Sequence, residues 1–164
     1  MIFVTVGTHE QPFNRLVEYM DKWASEHDED VVIQTGFSTY EPKNCEWSKL
    51  YPYKTMIEMV AGARIVITHG GPSSSIMPLQ IGKIPIVVPR QKQFDEHVND
   101  HQVDFCRRVA ISQKNIIVVE DIQTLEDVLG RYDELTASMP TGLKSNNAKF
   151  CNEFEKIVQD LFRS

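Results

Sequence analysis

The sequence has few cysteines, no excess of basic residues and no long apolar run. Its three cysteines, Cys45, Cys106 and Cys151, are far apart and follow neither a CxxC nor a Cys/His pattern. This spacing argues against a disulfide framework and a structural zinc site. The net charge of -6 disfavours nonspecific nucleic-acid binding, which draws on clustered lysine and arginine. No apolar stretch approaches the ~18 residues of a membrane span, so we expect a soluble protein of a reducing compartment.

The chain is long enough and apolar enough to form a core. With 164 residues, 41% of them hydrophobic, it is typical of a globular chain rather than a disordered one. This length predicts a single domain over residues 1–164. The opening MIFVTVG has no basic segment before its apolar residues, so it predicts a first strand rather than a signal peptide.

Short apolar runs alternate with segments of helical periodicity along the chain. We predict strands at residues 2–6, 31–33, 65–67, 84–88 and 116–119, and a loop over 37–49. We predict helices over 13–20, 53–61, 74–81 and 95–108, followed by helical pieces over 122–164. This alternation favours right-handed βαβ units, and therefore an α/β fold with a Rossmann-like parallel sheet and helices on both faces.

Polar turns follow three of the predicted strands. They are Gly7-Thr8-His9, His69-Gly70-Gly71 and Arg90-Gln91. The carboxyl ends of parallel strands lie at one edge of a sheet, and ligands of such sheets bind at that edge. We therefore expect the three turns to face a common ligand.

The second of these turns continues into a run of small residues, Gly70 to Ser75, that opens a predicted helix. Glycines allow the backbone to approach a ligand, while serine hydroxyls and the N–H groups of a helix N-terminus bind anions. The run therefore predicts a diphosphate cradle. A turn with a serine N-cap and no ligand is the alternative. The absence of GK[ST] and GxGxxG patterns disfavours an ATPase and an NAD-dependent enzyme.

The third turn opens a polar segment, RQKQFDEHVNDHQ, at residues 90–102. Arg90 is suited to a phosphate, and Asp100 and Gln102 to vicinal sugar hydroxyls. His97 and His101 have i, i+4 spacing and are expected to share a helix face. The order HVNDH lacks the glutamate that follows the first histidine in zincins, so we expect no metal site. A solvated helical face is the alternative for the segment.

Two stretches, VTVGTHEQPFNRLV and YPYKTMIEMVAGARIVITHGGPSSSIMPLQIGKIPIVVPRQKQFDEHVNDHQVDF, resemble the C-terminal half of family 28 glycosyltransferases. The resemblance is greatest to the small stand-alone members, the Alg13-like subunit of the eukaryotic GlcNAc transferase and the PssE-like bacterial exopolysaccharide or capsule subunits. It is strongest over residues 1–108. The combination of an early GTH, THGG, GKIPIVVPR and NDHQ carries it.

The resemblance implies the donor-binding half of a GT-B glycosyltransferase that acts on a UDP-sugar. Such enzymes work without a metal or other cofactor, and we expect an inverting transfer. The other half would be an Alg14-like membrane-anchored partner that presents a lipid-linked saccharide acceptor. The chain would then lie in the cytoplasm at the inner face of the plasma membrane. The capsule resemblance favours galactose among the possible sugars. A nonenzymatic enhancer subunit of another glycosyltransferase is the alternative.

The resemblance also implies roles for individual residues. His9 is a candidate general base because of its place at the end of the first strand, with the partner as the other possible source. The diphosphate would contact Gly7, Thr8, His69, Gly70, Gly71, Ser73, Ser74 and Ser75. The donor sugar and nucleoside would contact Tyr53, Met56, Gln80, Arg90, Gln91, Asp100 and Gln102.

One position departs from the pattern of this family. Many relatives carry a glutamate in the helix after the glycine-rich loop, where it binds ribose, and this chain has Pro78 instead. Proline cannot accept a ribose hydrogen bond. Either Gln80 or a backbone carbonyl takes that role, or ribose is held less tightly.

The resemblance implies one further feature, at the C-terminus of the chain. The related eukaryotic subunit docks through its C-terminal helix, so the amphipathic end of this chain is a candidate docking element. Packing of that end on its own sheet is the alternative. The apolar residues of the segment are Phe150, Phe154, Ile157, Val158 and Leu161.

Overall fold

A computed structural model describes residues 1–139 of the chain, except for the side chains of Pro72 and Ser73. The candidate docking segment that contains Phe150, Phe154 and Leu161 lies outside the described residues. None of the helices within residues 1–139 has the length and apolar character needed to cross a membrane.

Strands and helices alternate through most of the described chain. The strands are β1 (Ile2–Thr5), β2 (Val31–Gln34), β3 (Glu46–Ser48), β4 (Ile65–His69), β5 (Ile86–Val88) and β6 (Ile117–Val118). The helices are α1 (Asn14–Glu26), α2 (Tyr53–Gly62), α3 (Pro72–Gln80), α4 (His101–Gln113), α5 (Leu125–Gly130) and α6 (Tyr132–Thr136). Single 3-10 turns lie at Lys92–Phe94 and Ile122–Thr124.

The six strands form one parallel sheet in the order β3-β2-β1-β4-β5-β6. The chain builds one half of the sheet outward from β1 and then crosses back to add β4 on the other side of β1. Strands β1 and β4 therefore flank a topological switch point, where a crevice opens beyond their carboxyl ends.

Alternate residues of the strands enter two different cores. Ile2 and Val4 of β1 pack with Ile67 of β4 against α1, α5 and α6. Phe3 and Val66 point the other way and pack against α2 and α3, and a further cluster joins α3 and α4 to β5. A strand buried on both faces has no polar alternation, which explains the continuous apolar runs. The predicted Rossmann-like sheet with helices on both faces is confirmed.

Two predicted elements differ from the structure. The loop predicted over 37–49 contains the edge strand β3, whose Glu46-Trp47-Ser48 has no apolar run. The helix predicted from residue 95 begins only at His101, so His97 and His101 do not share a helix face and that prediction was wrong.

The physical reason lies in the backbone before α4. Asp95 has a left-handed φ of 56°, which ends the preceding 3-10 turn. The Asp100 carboxylate accepts from the Lys92 N–H at 3.0 Å, and the Asn99 amide oxygen accepts from the His101 N–H at 3.0 Å. These side chains hold the segment in turns, in competition with helical hydrogen bonds.

Candidate functional site

A cleft of about 530 Å³ opens at the carboxyl ends of β1 and β4, at the switch point. Beside it lies an apolar recess of about 200 Å³, which shares Tyr53, Met56 and Met77 with the cleft. The cleft brings together eight residues that sequence reasoning selected. They are Gly7, Thr8, His9, Tyr53, Met56, His69, Gly71 and Ser74.

The imidazole of His69, the last residue of β4, is wedged between two glycines. A Cβ placed on Gly7 would lie 2.3 Å from His69 Nε2, and one on Gly71 would lie 2.2 Å from His69 Cε1. Gly7 also has a φ of +76°, which L residues with a Cβ rarely adopt. The two glycines therefore make room for the His69 ring. From the sequence we had expected them to allow the backbone to approach a ligand.

The hydrogen bonds of His69 define its tautomer. Nδ1 accepts from the Gly71 N–H at 3.1 Å, so the ring hydrogen lies on Nε2, which donates to Ser74 Oγ at 3.0 Å. Burial, followed by the charge of Arg90, lowers the pKa of His69 to about 3. His69 is therefore neutral at neutral pH. Because Ser74 Oγ accepts from the imidazole, its own hydrogen is free to be donated in the cleft.

Helix α3 starts beside this serine without a side-chain cap. Gly71 occupies the N-cap position with φ -75° and ψ 137°, and a glycine has no side chain with which to cap the first turn. The predicted alternative of a serine N-cap is therefore not what the structure has. Uncapped N–H groups and the positive end of the helix dipole make this terminus suitable for an anion.

His9 lines the cleft on the β1 side and contacts another histidine. Its Nε2 lies 2.9 Å from Gln11 Oε1. Its ring stacks on that of His97, with centroids 4.5 Å apart and planes 13° from parallel. Burial, then the proximity of His9 and of Arg90, lowers the pKa of His97.

The match to a family model decides what kind of domain contains this cleft. Residues 1–161 match the model of the glycosyltransferase family 28 C-terminal domain. The chain belongs to this family. No curated protein sequence matches the chain significantly.

Solved glycosyltransferase structures share the fold of this family 28 domain. They include the glycotransferase of kitacinnamycin (TM-score 0.55, 20% identity), SnogD from Streptomyces nogalater (0.54, 15%) and the calicheamicin glycosyltransferase CalG4 (0.55, 16%). The matches cover 98%, 99% and 98% of this chain, but only 39%, 39% and 43% of theirs. The chain thus spans about two fifths of the length of these glycosyltransferases.

Several residues predicted to contact the donor lie outside the cleft lining of this family 28 domain. Arg90 is fully buried, and its guanidinium donates to the carbonyls of Gln11 (2.6 Å), Glu96 (3.0 Å) and Val6 (2.6 Å). It therefore clamps the loop after β1 to the loop after β5. Gln91 is also buried and donates to the Glu120 carbonyl at 2.8 Å.

Gln102 and its neighbours are likewise engaged in internal contacts. Gln102 Oε1 accepts from the N–H groups of Gly70 and Arg90, both at 3.1 Å, and Ser75 Oγ donates to the Gly71 carbonyl at 3.2 Å. The Asp100 carboxylate caps the Lys92 N–H, as described above. Donor contacts by these residues stay predictions, as does one by Ser73, whose side chain is not described.

Pro78 occupies the position at which the resemblance implies a ribose-binding glutamate. Pro78 is buried in α3, and its carbonyl accepts from the N–H groups of Ile81 at 3.2 Å and Lys83 at 2.9 Å. Gln80 is exposed near the end of α3 and is not part of the cleft lining. Met77 is the neighbouring residue of α3 that lines the cleft. A ribose contact by Gln80 or by a backbone carbonyl stays a prediction.

Sequence reasoning missed five cleft residues, Thr5, Gln34, Leu50, Tyr51 and Met77. The buried Gln34 side chain accepts from Thr5 Oγ1 and donates to the carbonyls of Gly7 at 3.1 Å and Lys49 at 2.8 Å. A signal for Gln34 was available, because a polar residue that ends an apolar strand lies at the ligand edge of a parallel sheet. Gln34 also pairs in register with Thr5.

Proposed function

We propose that this domain binds a UDP-sugar in the cleft and supplies the donor half of an inverting glycosyltransferase. The observation that carries the proposal is the meeting of the Ser74 hydroxyl, oriented by neutral His69, with the uncapped N-terminus of α3. The Ser74 hydroxyl and the backbone N–H groups at the start of α3 are uncharged hydrogen-bond donors in a partly buried site. They suit a diphosphate, on which negative charge grows as the bond to the sugar breaks.

The adjoining recess suits the nucleoside. Its walls include Tyr53, Met56, Val60 and Met77, which offer apolar contact to a planar base. The resemblance to family 28 enzymes implies that the base would lie near residues 53–56. With no carboxylate at Pro78, ribose would be held by backbone or hydroxyl groups. In this proposal the reaction needs no metal, because preorganised donors stabilise the leaving group.

A second lobe is part of the proposal. The cleft lining contains no lysine, arginine, aspartate or glutamate among the described residues, so this face offers the diphosphate no charged side chain. The chain also spans about two fifths of similar glycosyltransferases. We assign the rest of the site to an Alg14-like membrane-anchored subunit that presents a lipid-linked saccharide in exopolysaccharide or capsule synthesis. The domain would then work at the cytoplasmic face of the membrane.

Calorimetric titration of the isolated chain with UDP tests donor binding. We expect weak binding that is abolished by Ser74→Trp. Ser74→Ala should weaken it by about 10- to 100-fold, since a hydrogen bond to a charged group contributes about 1.5–3 kcal/mol. Ser25→Ala, an exposed serine of α1, is the matched control. UDP binding that is unchanged by Ser74→Trp would refute the site.

Co-expression with an Alg14-like partner tests the activity. We expect transfer from one of a panel of UDP-sugars to a lipid-linked acceptor by the pair, and little by the single chain. Full activity of the single chain would refute the two-subunit arrangement. If the chain binds no UDP-sugar but increases the transfer activity of another glycosyltransferase, it would instead be a nonenzymatic enhancer subunit.

A further inference from the structure

A relay of hydrogen bonds leads from Asp95, in the loop after β5, to His9, in the loop after β1. Gln11 Nε2 donates to the Asp95 backbone carbonyl at 3.1 Å, and Gln11 Oε1 lies 2.9 Å from His9 Nε2. A carbonyl oxygen can only accept, so the amide of Gln11 must turn its NH2 group to Asp95 and its oxygen to His9. The orientation of the Gln11 side chain is thereby determined by a backbone group.

The orientation of Gln11 in turn determines the tautomer of His9. An amide oxygen also can only accept, so His9 Nε2 must carry the hydrogen of the 2.9 Å bond. In the neutral imidazole, the lone pair then resides on Nδ1. Nδ1 is therefore the ring atom of His9 that can take up a proton.

Two further contacts hold the ring and its loop in place. His97 stacks on His9 with planes 13° from parallel, which restricts rotation of the imidazole. Arg90 donates to the carbonyls of Gln11 and Glu96, so the loop that contains His9 and the loop that contains His97 are joined by one buried side chain. The arrangement resembles a base oriented by a hydrogen-bonded second residue.

We propose that Gln11 is a positioning residue that fixes His9 in the tautomer whose Nδ1 accepts the proton during sugar transfer. The proposal rests on the proposed function. In that step the O–H bond of the acceptor breaks and its proton passes to Nδ1. The acceptor oxygen bonds to the anomeric carbon, and the bond from that carbon to the diphosphate breaks with its electron pair leaving on UDP.

Nitrogen-15 NMR of the His9 ring in the isolated chain tests the tautomer independently of any transfer activity. We expect a protonated Nε2 and a bare Nδ1 in the wild type at a pH where the ring is neutral. Gln11→Met removes the acceptor and should give a mixture of tautomers, while Gln11→Glu retains an acceptor and should retain the wild-type tautomer. Gln123→Met, at an exposed glutamine far along the chain, is the control. A wild-type proton on Nδ1, or a tautomer unaffected by Gln11→Met, would overturn the proposal.

Kinetics of the chain with its partner subunit test the consequence for transfer. Gln11→Met should lower kcat about tenfold with an unchanged KM for the donor, because a general base contributes about 10²- to 10⁴-fold and only part of this depends on orientation. Gln11→Glu should restore most of kcat. An unchanged kcat in Gln11→Met despite mixed tautomers overturns the positioning role. If the pair transfers no sugar but NMR shows the expected His9 tautomer and its dependence on Gln11, the proposed function is wrong while the hydrogen-bond relay is confirmed.

Discussion

Replacing Gly71 by alanine tests whether the His69 ring can keep its position only if residue 71 has no side chain. Gly71 has φ -75°, a backbone angle that alanine adopts freely, so the substitution adds only a methyl group. That methyl would lie 2.2 Å from His69 Cε1 and 2.9 Å from Nε2. The ring must move, and its bonds to the Gly71 N–H and Ser74 Oγ must lengthen or break.

The expected cost follows from these contacts. Overpacking of a buried site costs about 1–3 kcal/mol, and two lost hydrogen bonds add about 1 kcal/mol each. We expect Gly71→Ala to lower the free energy of unfolding by about 3–5 kcal/mol in urea titrations. Gly62→Ala is the matched control, because nothing lies within 4 Å of its added Cβ. It should change stability by about 1 kcal/mol or less, in the stabilising direction.

A double-mutant cycle separates the steric effect from other causes. In a His69→Ala background the obstacle is gone, so Gly71→Ala should cost about 2 kcal/mol less than in the wild type. The reasoning is refuted if Gly71→Ala is as stable as Gly62→Ala, or if its cost is the same with and without the imidazole.

Three further predictions concern charged and titratable groups, and urea unfolding measures each. Arg90→Met should cost about 3–5 kcal/mol because three backbone carbonyls, two of them in buried hydrogen bonds, lose their donor. Arg107→Met, which breaks an exposed pair with Glu120, should cost less than about 1 kcal/mol, and equal costs would contradict the clamp. His69 has a folded pKa of about 3 against 6.5 for the free side chain, so between these values the unfolded chain binds more protons and stability falls as the pH drops. The loss approaches about 1.4 kcal/mol per pH unit and should shrink in His69→Gln, and an identical slope in that variant would refute the assignment. Lys83 Nζ donates to the carbonyls of Val60, Ala61 and Ala63 at the end of α2, so Lys83→Met should cost about 2 kcal/mol and exposed Lys54→Met almost nothing.

The sheet could be predicted from the sequence because its central strands are buried on both faces. Runs such as Ile2 to Val6 have no polar alternation, which is typical of a short strand that is covered on both faces. The edge strand β3 could not be predicted because it is not buried on both faces. Its Glu46 and Ser48 are polar, so the segment has no apolar run. The turns at residues 95–100 were mistaken for helix because their hydrogen bonds come from side chains of the same segment.

The candidate site was predictable in its location but less so in its chemistry. Strand ends and glycines indicated the edge of the sheet at which the cleft lies, because topology alone places them there. The reason for Gly7 and Gly71 could not be predicted, since it depends on the direction of the His69 ring. The role of Arg90 was likewise hidden, because its partners Val6 and Gln11 are distant in sequence and contribute only backbone carbonyls.

The buried Arg90 side chain couples the positions of two loops at the edge of the cleft. One rigid guanidinium holds the segment that carries His9 and the segment that carries the exposed side chains of Phe94 and Val98. A movement of one segment relative to the other must break at least one of these hydrogen bonds. Displacing the segment of Phe94 and Val98 away from His9 therefore carries the energetic cost of breaking a buried hydrogen bond of Arg90.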